Sequence, residues 1–215
     1  MDTQLIISRV LNVIILLLSL TVHEFAHAWS AWLLGDDTAE RQGRLSLNPL
    51  VHADMIGTLA LPLLGIPFGW AKPVPVDPTR FRRSIRMTTG MMITAAAGPF
   101  ANVVLAVGST VTFGLLQRFS PETVATGTAA AALLVLLIQA NVTLALFNLL
   151  PIPPLDGSRI VDGLLPLRFQ PQWQAIHRFA PLFLLGVIYF GGRIIAGPSD
   201  YALGLLEQLV RAIGA

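Results

Sequence analysis

Histidines at positions 23 and 27 flank a glutamate in the run His23-Glu24-Phe25-Ala26-His27. A helix turns once in about 3.6 residues, so two imidazoles four positions apart project from one face and can bind one metal ion. Glu24, one place after the first histidine, stands beside that ion without having to ligate it. It can accept the proton of a water whose pKa zinc lowers to about 7, which is the chemistry of peptide hydrolysis. The plainer alternative is a helix on which two histidines only pack or cap. The setting weakens it: the run lies toward the end of a long apolar segment, where a charged group costs about 2.5–3.5 kcal/mol on insertion scales. Three ionisable side chains within five positions need a partner there, and a divalent cation satisfies all three.

Two histidines leave a catalytic zinc one protein ligand short. The chain has no cysteine, so the third donor must be a histidine or a carboxylate. Those in or beside apolar segments are His52, Asp54, Asp156 and Asp162. Asp156 is the best placed. Pro151, Pro153 and Pro154 break the helix before it, and irregular backbone at membrane depth is tolerated where it lines a cavity. Its plainer role is to cap a helix over Ser158 to Leu165. His52 falls near the expected membrane surface. It stands as an accessory ligand, a gate or a substrate contact, or as an interfacial histidine bonded to backbone.

These residues need elements to hold them, and composition says which. Of 215 residues, 54% are hydrophobic and 12% charged, against about 25% charged in soluble domains. Mean hydropathy is +0.69. The expected fold is therefore an all-α polytopic membrane protein, one domain over 1–215 with a catalytic core at about 5–165. The net charge of +2 reflects 14 basic against 12 acidic residues and does not point to nucleic acid.

A spanning helix needs about 20 mostly apolar residues. Leu5 to Leu34, Met87 to Leu116, Val124 to Leu150 and Phe179 to Ile195 meet that length or nearly so and give about four full crossings. Arg9 can snorkel to the interface. Met55 to Trp70 is apolar but short, and Pro62, Gly65, Pro67 and Gly69 punctuate it, so it reads as a re-entrant segment or hairpin. Alternation near 43–48, around Arg44-Leu45-Ser46-Leu47, predicts a small β element. Tyr201 to Ile213 reads as an interfacial amphipathic helix, and the N-terminal segment as a retained anchor without a cleaved signal.

If His27 and Asp156 share one ion, an even number of crossings separates them. Met87 to Leu116 and Val124 to Leu150 supply two, which again makes Met55 to Trp70 re-entrant. Arg41, Arg44, Lys72, Arg80, Arg82, Arg83, Arg86, Arg159 and Arg168 then fall on the side of the site, with Arg118 opposite. The positive-inside rule places the site toward the cytoplasm and the N-terminus outside, in a cell (plasma or inner) membrane.

Taken together, HEFAH in a first span, Gly43-Arg44-Leu45-Ser46-Leu47-Asn48-Pro49, Gly69-Trp70-Ala71-Lys72-Pro73-Val74-Pro75-Val76, Gly98-Pro99-Phe100-Ala101-Asn102 and Asn148-Leu149-Leu150-Pro151-Ile152-Pro153-Pro154-Leu155-Asp156-Gly157 resemble the site-2 protease family of intramembrane zinc proteases. The match runs from about residue 20 to 165 and looks like the short bacterial or archaeal form, without PDZ or CBS domains. The resemblance implies one zinc ion held by His23, His27 and Asp156, with Glu24 as general base and Asn148 and Asn102 near the substrate. It implies a transmembrane peptide substrate in a lipid bilayer, with selection by the membrane core or a regulatory membrane partner. Many members carry a second glycine where this chain has Ser158. Competing readings are an inactive scaffold, which does not need Glu24, a metal transporter, and a histidine-box oxidase, which needs many more histidines than the four present.

Overall fold

From Leu5 to Leu34 the chain has no proline or glycine to interrupt a helix. In the computed structural model, which describes residues 3–65 and 69–214, helix α1 runs unbroken over Thr3–Leu33. It stops where Gly35 adopts a φ of 108°, and the Asp36 amide then bonds the Ala31 carbonyl. Only a residue without Cβ takes that conformation at no steric cost. The long helices that follow are α2 (Met87–Phe119) and α3 (Ala129–Asn148), the second started by the Thr128 hydroxyl accepting from the Ala131 amide. Helix α4 (Asp156–Leu164) follows the proline-rich link, and α5 covers Ala180–Gly214.

Helices α1, α2 and α3 are each long and apolar enough to cross a bilayer, and α5, bent by 59° between Val187 and Tyr189, makes a fourth if counted as one span. Their outward faces are greasy: Leu18, Val104 and Val135 are exposed, while Ser19, Thr110 and Asn141 are buried. A soluble bundle arranges these the other way. Here apolar side chains meet lipid and the polar ones find each other inside. The chain is a membrane-embedded helical protein.

Two expected elements take a different form. The stretch 43–48 is not a strand, and no strand occurs among the described residues. Gly43 turns at a φ of 67°, and Asn48 caps a short helix at Pro49–His52. The extended segment beside it carries Pro73 and Pro75, which have no N–H for a ladder. Instead Arg44 donates Nη2 to the Lys72 carbonyl at 2.5 Å and to that of Pro73 at 3.3 Å.

The second difference is at the C-terminus. Phe179 to Ile195 and Tyr201 to Ile213 are not separate, because α5 continues through Gly197-Pro198. Pro within such helices is tolerated when neighbours cover the freed carbonyl. Gly191 faces Phe147 at the end of α3, and Ile213 packs on Gly114 of α2. The segment read as interfacial therefore runs back along the bundle.

Met55 to Trp70 folds as a hairpin. Its outgoing limb is a π-helical turn at Met55–Ala60 followed by Leu61–Leu63, capped by the Asp54 carboxylate, which accepts from the Ile56 and Gly57 amides. Residues 66–68 lie outside the described residues. The return limb brings Trp70 against Gly57, and the Thr58 hydroxyl donates to the Trp70 carbonyl at 2.8 Å. Arg9 holds the far end, donating Nη1 to the Leu63 carbonyl at 2.9 Å. Arg9 precedes His23 by about 21 Å along α1 at 1.5 Å per residue. From Gly69 to Asp77 the return limb is extended and follows α1, passing Leu16, then Glu24, then Asp36.

Candidate metal centre

The C-terminal half of α1 buries His23, Glu24 and His27, each exposing 9% or less of its surface. Their two Nε2 atoms lie 3.0 Å apart. Asp156, the first residue of α4, brings its Oδ2 to 3.1 Å from His23 Nε2 and 3.3 Å from His27 Nε2. The capping position of α4 is Leu155, not Asp156. The Asp156 carboxylate turns instead toward the histidines, and these three side chains form a cluster able to hold a metal ion.

The second nitrogen of each ring decides what the cluster can bind. His27 Nδ1 lies 2.7 Å from the Thr94 carbonyl oxygen. A carbonyl only accepts, so Nδ1 carries the proton, and in the neutral ring Nε2 presents a lone pair. His23 Nδ1 lies 2.6 Å from Asn102 Oδ1, with the same consequence. Two imidazole lone pairs and a carboxylate oxygen thus face one another, and a cation at their centre resolves the repulsion. Tetrahedral donors about 2.0–2.1 Å from zinc are roughly 3.3 Å apart, close to the three separations found. The residues fit the ion.

Helix α2 supplies the wall behind the rings. Pro99 gives no N–H to the Ala95 carbonyl and crowds it, and in that same turn the Thr94 carbonyl takes its bond from His27. Gly98 lets α2 come this close: a Cβ there would overlap His27 Nε2 and His23 Cε1. Glu24 is outside the donor set. Its Oε2 accepts from the Val74 amide of the return limb at 2.9 Å, which fixes the carboxylate beside the ligands.

The other expected site residues lie outside this donor set. Asn102 exposes 0% of its surface and sits behind His23, its Oδ1 2.6 Å from the ring Nδ1. Asn148, half-buried at the end of α3, donates Nδ2 to the Leu144 carbonyl at 3.0 Å. His52 is buried with its Nε2 donating to the Ser46 carbonyl at 2.8 Å, and it is not part of the donor cluster. Its own carbonyl accepts from the Lys72 amide, so it braces the return limb. Ser158, where a second glycine is usual in the family, is buried and satisfies its hydroxyl on the Leu155 carbonyl at 2.7 Å. The motifs contain Gly98 and Val74 but assign no role to them or to Thr94. Two of these act through main-chain atoms, and Gly98 acts by lacking a side chain.

The family model for peptidase family M50 matches residues 11–188, a stretch holding the donor cluster, Glu24 and the return limb. The chain belongs to peptidase family M50. Over 155 residues it is 44% identical to the protein described as "Putative zinc metalloprotease YwhC" of Bacillus subtilis (strain 168), covering 72% of this chain and 68% of that one. Zinc metalloproteases named Rip2 match as well, under the same qualified description. The one from Mycolicibacterium smegmatis is 38% identical over 141 residues, 66% of this chain and 52% of its own. That of Mycobacterium tuberculosis (strain ATCC 25618 / H37Rv) is 32% identical over 169 residues, 79% and 62% respectively. The matches thus span between 52% and 68% of these relatives. No solved structure matches the chain. M50 membership agrees with the resemblance seen in the motifs, and the enzyme class is that of a zinc metallopeptidase with one zinc ion.

Proposed function

We propose that this M50 peptidase cleaves peptide bonds within or at the edge of transmembrane segments of other membrane proteins, with its site toward the cytoplasm. Support comes from one relationship: the donor cluster and its glutamate are buried between lipid-crossing helices, and an extended stretch of backbone lies directly against that glutamate. A membrane-spanning segment of another protein already lies at the depth of such helices.

In this reading His23, His27 and Asp156 hold the zinc ion, which supplies Lewis-acid polarisation of a carbonyl and acidifies water at neutral pH. Glu24 accepts a proton from the attacking water and passes it to the leaving amine. The Val74 amide keeps Glu24 turned into the site while it does so. A helical substrate hides its carbonyls in hydrogen bonds, so it must unwind first. The return limb gives the unwound peptide something to pair with. The Val74 and Pro75 carbonyls have no protein partner among the described residues and can accept peptide N–H groups. Asn148 contacts the peptide at the end of α3. Arginines in the loops flanking the site, Arg80, Arg82, Arg83 and Arg86 among them, favour the cytoplasmic side, with Arg118 alone in the opposite loop.

The test is cleavage of a transmembrane peptide by the purified chain in detergent or vesicles, with zinc content measured alongside. Cleavage by the parent and none by Glu24→Gln at equal zinc supports the reading. A parent that holds zinc but cuts only soluble peptides overturns it. Labelling of a cysteine placed at position 82 from outside the cell tests the orientation separately: a reactive thiol reverses it.

A further inference from the structure

Behind His23 the three spanning helices are joined by polar side chains that hydrolysis itself does not use. Ser19 of α1, Asn102 of α2 and Asn141 of α3 each expose 0% of their surface. Asn102 Nδ2 donates to Asn141 Oδ1 at 2.7 Å. Asn141 Nδ2 donates to Ser19 Oγ at 2.9 Å and to the Leu137 carbonyl at 2.8 Å.

An amide side chain fits most sites either way round, and its partners decide which way is right. Here a main-chain atom decides. The Leu137 carbonyl can only accept, so the Asn141 NH2 faces it and Asn141 Oδ1 faces Asn102. Asn102 must then turn its own NH2 to Asn141, a direction also favoured by the Ser19 carbonyl 3.4 Å away. That leaves Asn102 Oδ1 toward His23 Nδ1 at 2.6 Å. An amide oxygen only accepts, so the proton of the neutral His23 ring is on Nδ1, and Nε2, the atom aimed at Asp156, is free for the ion.

We propose that Asn102, Asn141 and Ser19 are positioning residues of the metal centre: a relay ordered from the Leu137 carbonyl that holds His23 in the one tautomer able to bind zinc. A set of bonds serving only to tie helices together need not end on a ligand. This one has a single permitted direction at each link and ends on a ligand. His27 reaches the same state by one bond to the Thr94 carbonyl, whereas His23 has no main-chain acceptor at its Nδ1 and depends on the relay.

The proposal rests on the zinc reading, and the experiment separates the two. The purified chain is titrated with zinc against a chelating dye, and a parent that binds none ends the zinc reading itself. Asn141→Leu, of similar volume, weakens zinc binding about tenfold to a hundredfold, the usual effect of losing a ligand's outer partner. Helix content stays at the parental level. Adding Asn102→Asp to Asn141→Leu restores binding, because a carboxylate has two acceptor oxygens and offers one to His23 whichever way it turns. Thr110→Val removes another fully buried polar group of α2, bonded to the Ala106 carbonyl, and leaves the affinity unchanged. If Asn141→Leu does not fold, Asn141→Ala is read in its place. Parental affinity in the folded Asn141 variant overturns the proposal. So does an equal loss in Thr110→Val, or a loss that Asn102→Asp does not repair.

Discussion

Val74 and Glu24 are separated by 50 positions, yet the Val74 amide donates to Glu24 Oε2 at 2.9 Å. The bond joins the proposed general base to the extended limb beside it. Replacing Val74 by proline removes the donor and fixes φ in a stretch that Pro73 and Pro75 already restrict. Hydrogen bonds to charged groups contribute about 1.5–3 kcal/mol, so Val74→Pro lowers kcat by about tenfold or more at unchanged zinc content. Val74→Ala keeps the amide and stays within about twofold of the parent. Steady-state cleavage of a labelled transmembrane peptide reads both.

Glu24 lies outside the donor cluster, so its loss separates chemistry from metal binding. Glu24→Gln retains one zinc per chain and loses at least about a hundredfold in kcat, the lower range for general acid–base catalysis. His23→Ala loses the metal together with the activity. Metal analysis of the two purified variants distinguishes these outcomes.

Gly98 packs on both imidazoles. Gly98→Ala forces His27 aside and strips zinc from the protein at stoichiometric metal. In the same helix a Cβ at Gly108 meets nothing within 4 Å. Gly108→Ala therefore keeps zinc and gains up to about 0.5–1 kcal/mol from helix propensity. Thermal unfolding with and without chelator reads both effects.

Asp36 is fully buried at the end of α1. Its Oδ1 accepts from the Thr38 amide and hydroxyl, and its Oδ2 accepts from the Asp77 amide at 2.7 Å. Asn at this position has only one acceptor oxygen and sets an NH2 against one of those donors. Asp36→Asn costs about 1–3 kcal/mol and frees the upper end of the return limb. Limited proteolysis between residues 72 and 80 then speeds up, and the parental rate there would contradict the assignment.

Much of this architecture could be read before any coordinates. The four-residue spacing of His23 and His27 is the helix repeat itself, and Asp156 stood out as a carboxylate beside a proline break in apolar surroundings. The hairpin at Met55 to Trp70 was legible from its short length and its prolines and glycines. The expected strand near 43–48 failed because its neighbour has prolines where a ladder needs donors, a fact about the partner segment. The continuity of α5 through Pro198 was hidden because proline breaks helices in water more readily than between packed membrane helices. Asn102 and Asn141 were visible as polar residues in spans. Their shared purpose was not, because Asn141 meets Asn102 and Ser19 only once the helices are side by side.

The return limb has one further consequence. Pro73 and Pro75 have no N–H, and the amides of Lys72 and Val74 are already given to the His52 carbonyl and Glu24. Between residues 72 and 75 the limb is thus an edge with acceptors and no spare donors. Two such edges brought together would set carbonyl against carbonyl. On the proposed reading the limb suits the backbone of a stranger with free N–H groups and not a copy of itself, so a peptidase crowded among its own kind in a membrane would not offer its limb to a neighbour as a template.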